Sequence, residues 1–148
     1  MNLLHGKTAN AMRFQILGTL SVLMILLVFS PSLYGQDEYL IEPQNFKQTI
    51  DKKPKNVVLI DVRTLAEYNE ARIEGSINID IKSDYFKDSI ATLDKTQVYF
   101  LYCKAGTRSS RARDVMKEAK FPYVFELDGG LEDWLNQEFP VVTSKENN

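Results

Sequence analysis

Val98-Tyr99-Phe100-Leu101-Tyr102-Cys103-Lys104-Ala105-Gly106-Thr107-Arg108-Ser109 is an apolar, aromatic run that stops at a cysteine and turns at once into a loop of small and basic residues. Five consecutive apolar or aromatic positions without strict alternation suit a strand buried on both faces, as in a parallel sheet. Past the loop, Ala112, Val115, Met116 and Ala119 recur at i, i+3, i+4 and i+7, which predicts a helix with Arg111, Arg113, Asp114, Lys117, Glu118 and Lys120 on its outer side. The segment therefore reads as strand, loop and helix, with the only cysteine of the 148-residue chain at the junction.

The same alternation extends in both directions. Val57 to Ile60 form a second apolar run that ends at Asp61. Tyr123 to Leu127 form a third that ends at Asp128-Gly129-Gly130. Ser76 to Ile79 and Tyr39 to Ile41 supply two shorter strands. Between them, Phe46 and Ile50 follow Pro43 at helical spacing, and Thr64 with Glu67 three residues on makes a capping-box pattern ahead of Leu65 and Tyr68. Tyr85, Phe86, Ile90 and Leu93 stripe a third helix, and Leu131, Trp134 and Leu135 a last one, with Glu132 and Asp133 in its first turn. Strands alternating with helices predict an α/β fold, a parallel sheet covered on both faces. Ligands of such sheets bind at the carboxyl ends of the strands. Asp61, Cys103 and Asp128 each follow a strand, so all three are expected on one rim.

The loop after Cys103 has the makings of an anion cradle. With the helix beginning near Thr107, the N–H groups of Lys104, Ala105, Gly106, Thr107 and Arg108 have no partner in regular structure. Gly106 lets the chain curl so that these groups face the sulfur, a nest that favours negative charge. The thiolate of Cys103 is that charge, and its pKa is expected to be lowered. Lys104 and Arg108 add positive potential for an incoming anion. The competing reading is a buried, inert cysteine, which the polar composition of the next five residues opposes.

Composition and charge bound the remaining possibilities. A formal charge of −2 excludes a global pull toward nucleic acid or an anionic membrane. Residues 1–35 stand apart: Lys7 and Arg13 but no acid, an apolar stretch from Phe14 to Phe29, then Ser30-Pro31-Ser32-Leu33-Tyr34-Gly35. This is the pattern of a secretory signal peptide with a cut after Gly35, or of a retained amino-terminal anchor. The apolar stretch is about 24 Å long as a helix, short for a bilayer core of about 30 Å. Export to the periplasm is expected, with membrane attachment only if the segment is retained. His5, the only histidine, lies in this leader. Without residues 1–35 the domain from 36 to 148 carries 16 basic against 20 acidic residues, so attraction for an anion must be local. A single cysteine forms no internal disulfide and cannot act as a dithiol oxidoreductase.

Cys103-Lys104-Ala105-Gly106-Thr107-Arg108-Ser109 resembles the active-site loop of the rhodanese family, Cys-x-x-Gly-x-Arg-Ser. Leu59-Ile60-Asp61-Val62-Arg63, Glu67-Tyr68 and Ile73-Glu74-Gly75-Ser76-Ile77-Asn78-Ile79 resemble its first signature, and Leu127-Asp128-Gly129-Gly130-Leu131 with Trp134 its closing one. The similarity runs over residues 40–139, and with its leader the chain is similar to the small exported single-domain members. The resemblance implies a rhodanese-like three-layer fold with a central, mostly parallel five-stranded sheet. It also implies a sulfurtransferase in which Cys103 takes sulfur from thiosulfate or a similar anionic donor and passes it, as a persulfide, to cyanide, a thiol or a protein acceptor. Arg108 and Lys104 would orient the donor, and neither metal nor organic cofactor is called for. Asp61, Arg63 and Asp128 would brace the rim. Gly75, Gly129 and Gly130 are read as turn residues, and Trp134 as core. Where many members have Gly-His-Ile, this chain has Ala71-Arg72-Ile73, so Arg72 is either a changed structural contact or extra positive charge beside the cradle.

Two rivals remain. Cysteine-dependent phosphatases and arsenate reductases place five residues between cysteine and arginine, whereas four separate Cys103 from Arg108. A non-catalytic binding or regulatory module is the other, although such modules often lack the cysteine that is present here.

Overall fold

The computed structural model describes residues 38–144, so the leader reading of residues 1–35 lies outside the described residues. β1 (Leu40–Ile41) leads into α1 (Pro43–Asp51), with Pro43 in the first turn, where its missing N–H costs no helical hydrogen bond. β2 (Val57–Asp61) is followed by α2 (Leu65–Glu70), β3 (Ile77–Asn78), α3 (Phe86–Ala91) and β4 (Val98–Tyr102). α4 (Thr107–Glu118), β5 (Val124–Leu127) and α5 (Gly130–Asn136) complete the order. The capping box at α2 forms as the spacing predicts: Glu67 N–H donates to the Thr64 hydroxyl, and Thr64 N–H donates to the Glu67 carboxylate.

The five strands make one sheet in the order β1-β5-β4-β2-β3, and every pairing between named strands is parallel. This is the α/β architecture expected from the alternation of elements. Side chains along β4 divide by the two-residue period of a strand. Tyr99, Leu101 and Cys103 enter one core with Ile60 of β2, Phe86 and Ile90 of α3, and Ala112 and Met116 of α4. Phe100 and Tyr102 enter the other, with Phe46 of α1, Leu59 of β2, Leu127 of β5, and Leu131 and Trp134 of α5. Burial on both faces is why the strand reads as a continuous apolar run.

Three positions depart from the helical stripes. Tyr85 and Leu135 are exposed, Tyr85 because it is the residue before α3 and Leu135 because α5 ends a residue later. Arg113, expected outward, turns in: its guanidinium lies 2.7 Å from the fully buried Glu126 carboxylate on β5 and stacks on the ring of Tyr39. Strand β5 thus carries a charge within its apolar run, and α4 supplies the counterion.

Candidate active site

The carboxyl end of β4 delivers Cys103 to the rim, and the chain curls under Gly106, whose φ of +93° is a conformation reserved largely for glycine. The Gly106 N–H donates to Cys103 Sγ at 3.2 Å, and the Ser109 hydroxyl lies 3.6 Å from the sulfur while also donating to the Gly106 carbonyl at 2.8 Å. Burial pushes the thiol pKa up, but the Ser109 amide and hydroxyl and the amides of Ala105 and Arg108 outweigh it, so the net direction is down. Two hydrogen bonds hold the cradle from outside: Leu131 N–H donates to the Cys103 carbonyl and Glu132 N–H to the Lys104 carbonyl, both at 2.9 Å. The amino terminus of α5 therefore occupies the carbonyls of the loop, and the loop amides are left for the sulfur.

The sequence pointed to an open thiol, and here the structure differs. Cys103 is 1% exposed. The same curl that brings amides to the sulfur wraps the backbone around it, and the side chain shares the core face of β4. Accessibility and stabilisation of charge compete at this position, and the resting chain favours the second.

Arg108 also sits differently from the expected free anion clamp. Its two terminal nitrogens donate to the two carboxylate oxygens of Glu67, each at 2.7 Å. Glu67 is thereby shared between the α2 cap and the cradle. Its pKa falls to about 2, chiefly through Arg108 and, secondarily, the Thr64 bonds, with burial opposing. The Arg108–Glu67 pair fixes the first turn of α4 against α2 across 41 residues of sequence. Lys104 is exposed, its ammonium 3.4 Å from Glu132.

Asp61 and Arg63 form a buried pair on the neighbouring strand end. Arg63 Nη2 lies 2.6 Å from Asp61 Oδ2, and the Arg63 N–H and Nε also donate to the same carboxylate. Burial alone would lower the Arg63 pKa; Asp61 reverses that. Asn78 ties the pair to β3 by donating to the carbonyls of both residues. Asp128 is exposed at the end of β5 and, with Ala105, Gly106 and Thr107, lines a shallow cavity of about 290 Å³. Arg72 is not part of the cradle. It stacks over Tyr68, donates to the Ser144 hydroxyl and bridges Val142, which is the structural alternative for this position.

Two functional contacts escaped the sequence. Glu67 was assigned only a capping role; the Arg–Glu pairing across 41 residues has no local signal. Gly130, read as a turn residue, is a close-approach glycine: a Cβ there would lie 2.7 Å from the Lys104 carbonyl oxygen and 2.8 Å from that of Cys103. Its adjacency to Gly129 was the available hint. Among the described residues no group of three or more His, Cys, Asp or Glu is placed to hold a metal ion.

Comparison with known proteins gives a consistent picture. The pattern of the family described as Rhodanese-like domain matches residues 42–137. Thiosulfate sulfurtransferase PspE of Escherichia coli (strain K12) is 35% identical over 74 residues, 50% of this chain and 70% of that protein. Thiosulfate:glutathione sulfurtransferase of Saccharomyces cerevisiae is 28% identical over 104 residues, 63% of this chain and 75% of that protein. Other relatives are longer, and the match spans as little as 25% of their length. Among solved structures, the BH2092 protein from Bacillus halodurans superposes with a TM-score of 0.63 at 26% identity, covering 72% of this chain and 77% of that one.

Proposed function

The chain belongs to the Rhodanese-like domain family, and from that premise we propose that it is a sulfurtransferase in which Cys103 carries the transferred sulfur. The observation that supports this most directly is the sulfur of Cys103 beneath the Gly106 N–H, with a thiol pKa displaced downward by its hydrogen bonds. A thiolate is the reactive form toward sulfane sulfur. Cys103 attacks the outer sulfur of thiosulfate, the S–S bond of the donor breaks, and its electron pair leaves with sulfite. The enzyme then holds a Cys103 persulfide, whose terminal negative charge sits where the loop amides converge. Cyanide or a thiolate attacks that outer sulfur, and the electron pair of the enzyme S–S bond returns to Cys103. Two half-reactions through one covalent intermediate predict ping-pong kinetics.

In this cycle Lys104, Ala105, Gly106, Thr107 and Arg108 form the cradle. Arg108, held by Glu67, fixes the loop, while the exposed Lys104 meets the anionic donor. Asp61, Arg63 and Asp128 support the rim. The same reading has residues 1–35 direct export to the periplasm, and the amino-terminal sequence of the protein recovered from cells distinguishes cleavage from anchoring.

The test is conversion of thiosulfate and cyanide to thiocyanate by the full chain, with intact mass rising by about 32 Da, one sulfur atom, on thiosulfate treatment and falling back with cyanide. Cys103→Ser is expected to abolish both while keeping the fold. Absence of the adduct with hydrolysis of a phosphate ester in its place would sink the proposal.

A further inference from the structure

α2 holds one side of the active-site loop without an apolar anchor of its own. None of the residues Leu65–Glu70 is buried, and Leu65 is 60% exposed. A helix of six residues is not stable alone in water, and one that buries no apolar face is kept in place by the polar contacts around it. Its amino-terminal end is closed by the Thr64–Glu67 box. On the sheet side, the Tyr68 hydroxyl donates to the Ser76 carbonyl and Arg63 Nη2 to the Ala71 carbonyl.

Further support comes from beyond α5. Val142 and Arg72 exchange backbone bonds there, Val142 N–H to the Arg72 carbonyl at 2.8 Å and Arg72 N–H to the Val142 carbonyl at 2.9 Å. Ser144 N–H donates to the Asn69 carbonyl and the Ser144 hydroxyl to Asn69 Oδ1, each at 3.1 Å. Arg72 closes the join by donating to the Ser144 hydroxyl at 3.0 Å while stacking over Tyr68. The root of this segment is itself fixed. Trp134 Nε1 donates to the Pro140 carbonyl at 2.9 Å, and Val141 packs against the core that holds Phe46 and Trp134. A segment tied to the core at one end and to α2 at the other restrains the helix. Through α2 the restraint reaches the nucleophile: Glu67 grips both terminal nitrogens of Arg108 at 2.7 Å, and the Arg108 amide is one of those that face the Cys103 sulfur.

We propose that residues 141–144, joined to Arg72, are a strap that positions the active-site loop by holding α2 and its Glu67. Arg72 and Val142 are positioning residues, acting on the sulfur only through Glu67 and Arg108. The strap gives a function to the arginine that stands where many family members carry histidine, and to a segment beyond residues 40–139. Its bearing on turnover rests on the sulfurtransferase reading above, whereas its effect on the thiol does not.

The experiment is ultraviolet titration of the Cys103 thiolate in full-chain variants, each with its Cys103→Ser counterpart as the blank. Val142→Pro deletes the N–H donated to Arg72, Arg72→Ala deletes the side-chain join, and Val142→Ala keeps both backbone bonds. In Val142→Pro and in Arg72→Ala the midpoint is expected to move upward, the thiolate fraction at a fixed pH below it falling about threefold or more. Val142→Ala is expected to match the wild type. In a Glu67→Ala background Val142→Pro is expected to add no further shift, because the link to the loop is already cut. A wild-type midpoint in either strap variant that circular dichroism shows to be folded overturns the inference. An equal shift in Val142→Ala, or a Val142→Pro shift undiminished by Glu67→Ala, overturns it as well. Sulfur loading from thiosulfate, read as an added mass of about 32 Da, is followed in parallel and should slow in the two strap variants. Failure of the wild type to load refutes the sulfurtransferase reading and leaves the titration to decide the strap by itself.

Discussion

Replacing Gly130 with alanine brings a methyl group 2.7 Å from the Lys104 carbonyl oxygen and 2.8 Å from that of Cys103, at a backbone φ of +62°. The left-handed conformation alone costs a non-glycine residue about 1 kcal/mol. Backbone atoms at that separation cannot rotate away as a side-chain tip can, so α5 must back off from the loop. Retreat lengthens both 2.9 Å bonds, from Leu131 N–H and Glu132 N–H, each worth about 1 kcal/mol net. The expected loss is about 3 kcal/mol. Gly75 is the internal control: its φ is +80°, but nothing lies within 4 Å of an added Cβ, so Gly75→Ala should lose only the conformational part, about 1 kcal/mol. Urea unfolding of the two variants measures the difference, and alkylation of Cys103 at fixed pH reports whether the cradle survives. Equal losses in the two variants, or wild-type alkylation kinetics in Gly130→Ala, would refute the claim that close approach of α5 shapes the loop.

The remaining predictions concern charge. The pH profile of Cys103 alkylation should have its midpoint below that of an ordinary thiol, because the loop hydrogen bonds favour the thiolate, and Ser109→Ala, which removes a hydroxyl 3.6 Å from the sulfur, should move it upward. Glu67, with its folded pKa lowered to about 2 from 4.5, contributes stability that is full above pH 4.5 and lost as pH falls toward 2. With its side chain 30% exposed, that contribution is about 1–2 kcal/mol after solvent screening, and Glu67→Gln should flatten this part of the acid-unfolding curve. Arg113→Ala removes the guanidinium 2.7 Å from the buried Glu126 carboxylate and should cost about 3 kcal/mol in urea unfolding. Glu126→Gln in that background should restore part of the loss.

What was legible in the sequence was local. Strand runs such as Val98–Tyr102, the Thr64–Glu67 cap and the start of α4 at Thr107 each follow from residues within a few positions of one another. The rim of Asp61, Cys103 and Asp128 followed from strand ends and a general rule for parallel sheets. Contacts made across the chain were not legible. Arg108 looked free because Glu67 is 41 residues away, and Arg113 looked solvated because its partner hides inside an apolar strand. Cys103 looked open because a loop composition of Lys, Ala, Gly, Thr and Arg says nothing of which way the backbone folds over the sulfur. Leu135 satisfied the helical period, yet the helix ended before anything covered it.

The bonds from the first turn of α5 to the nucleophile's carbonyl have a temporal meaning as well. Residues 131 and 132 follow Cys103 in synthesis, so until they dock, the carbonyls of Cys103 and Lys104 lack these two partners. The loop around the sulfur is therefore braced on all sides only once the tail of the domain has docked.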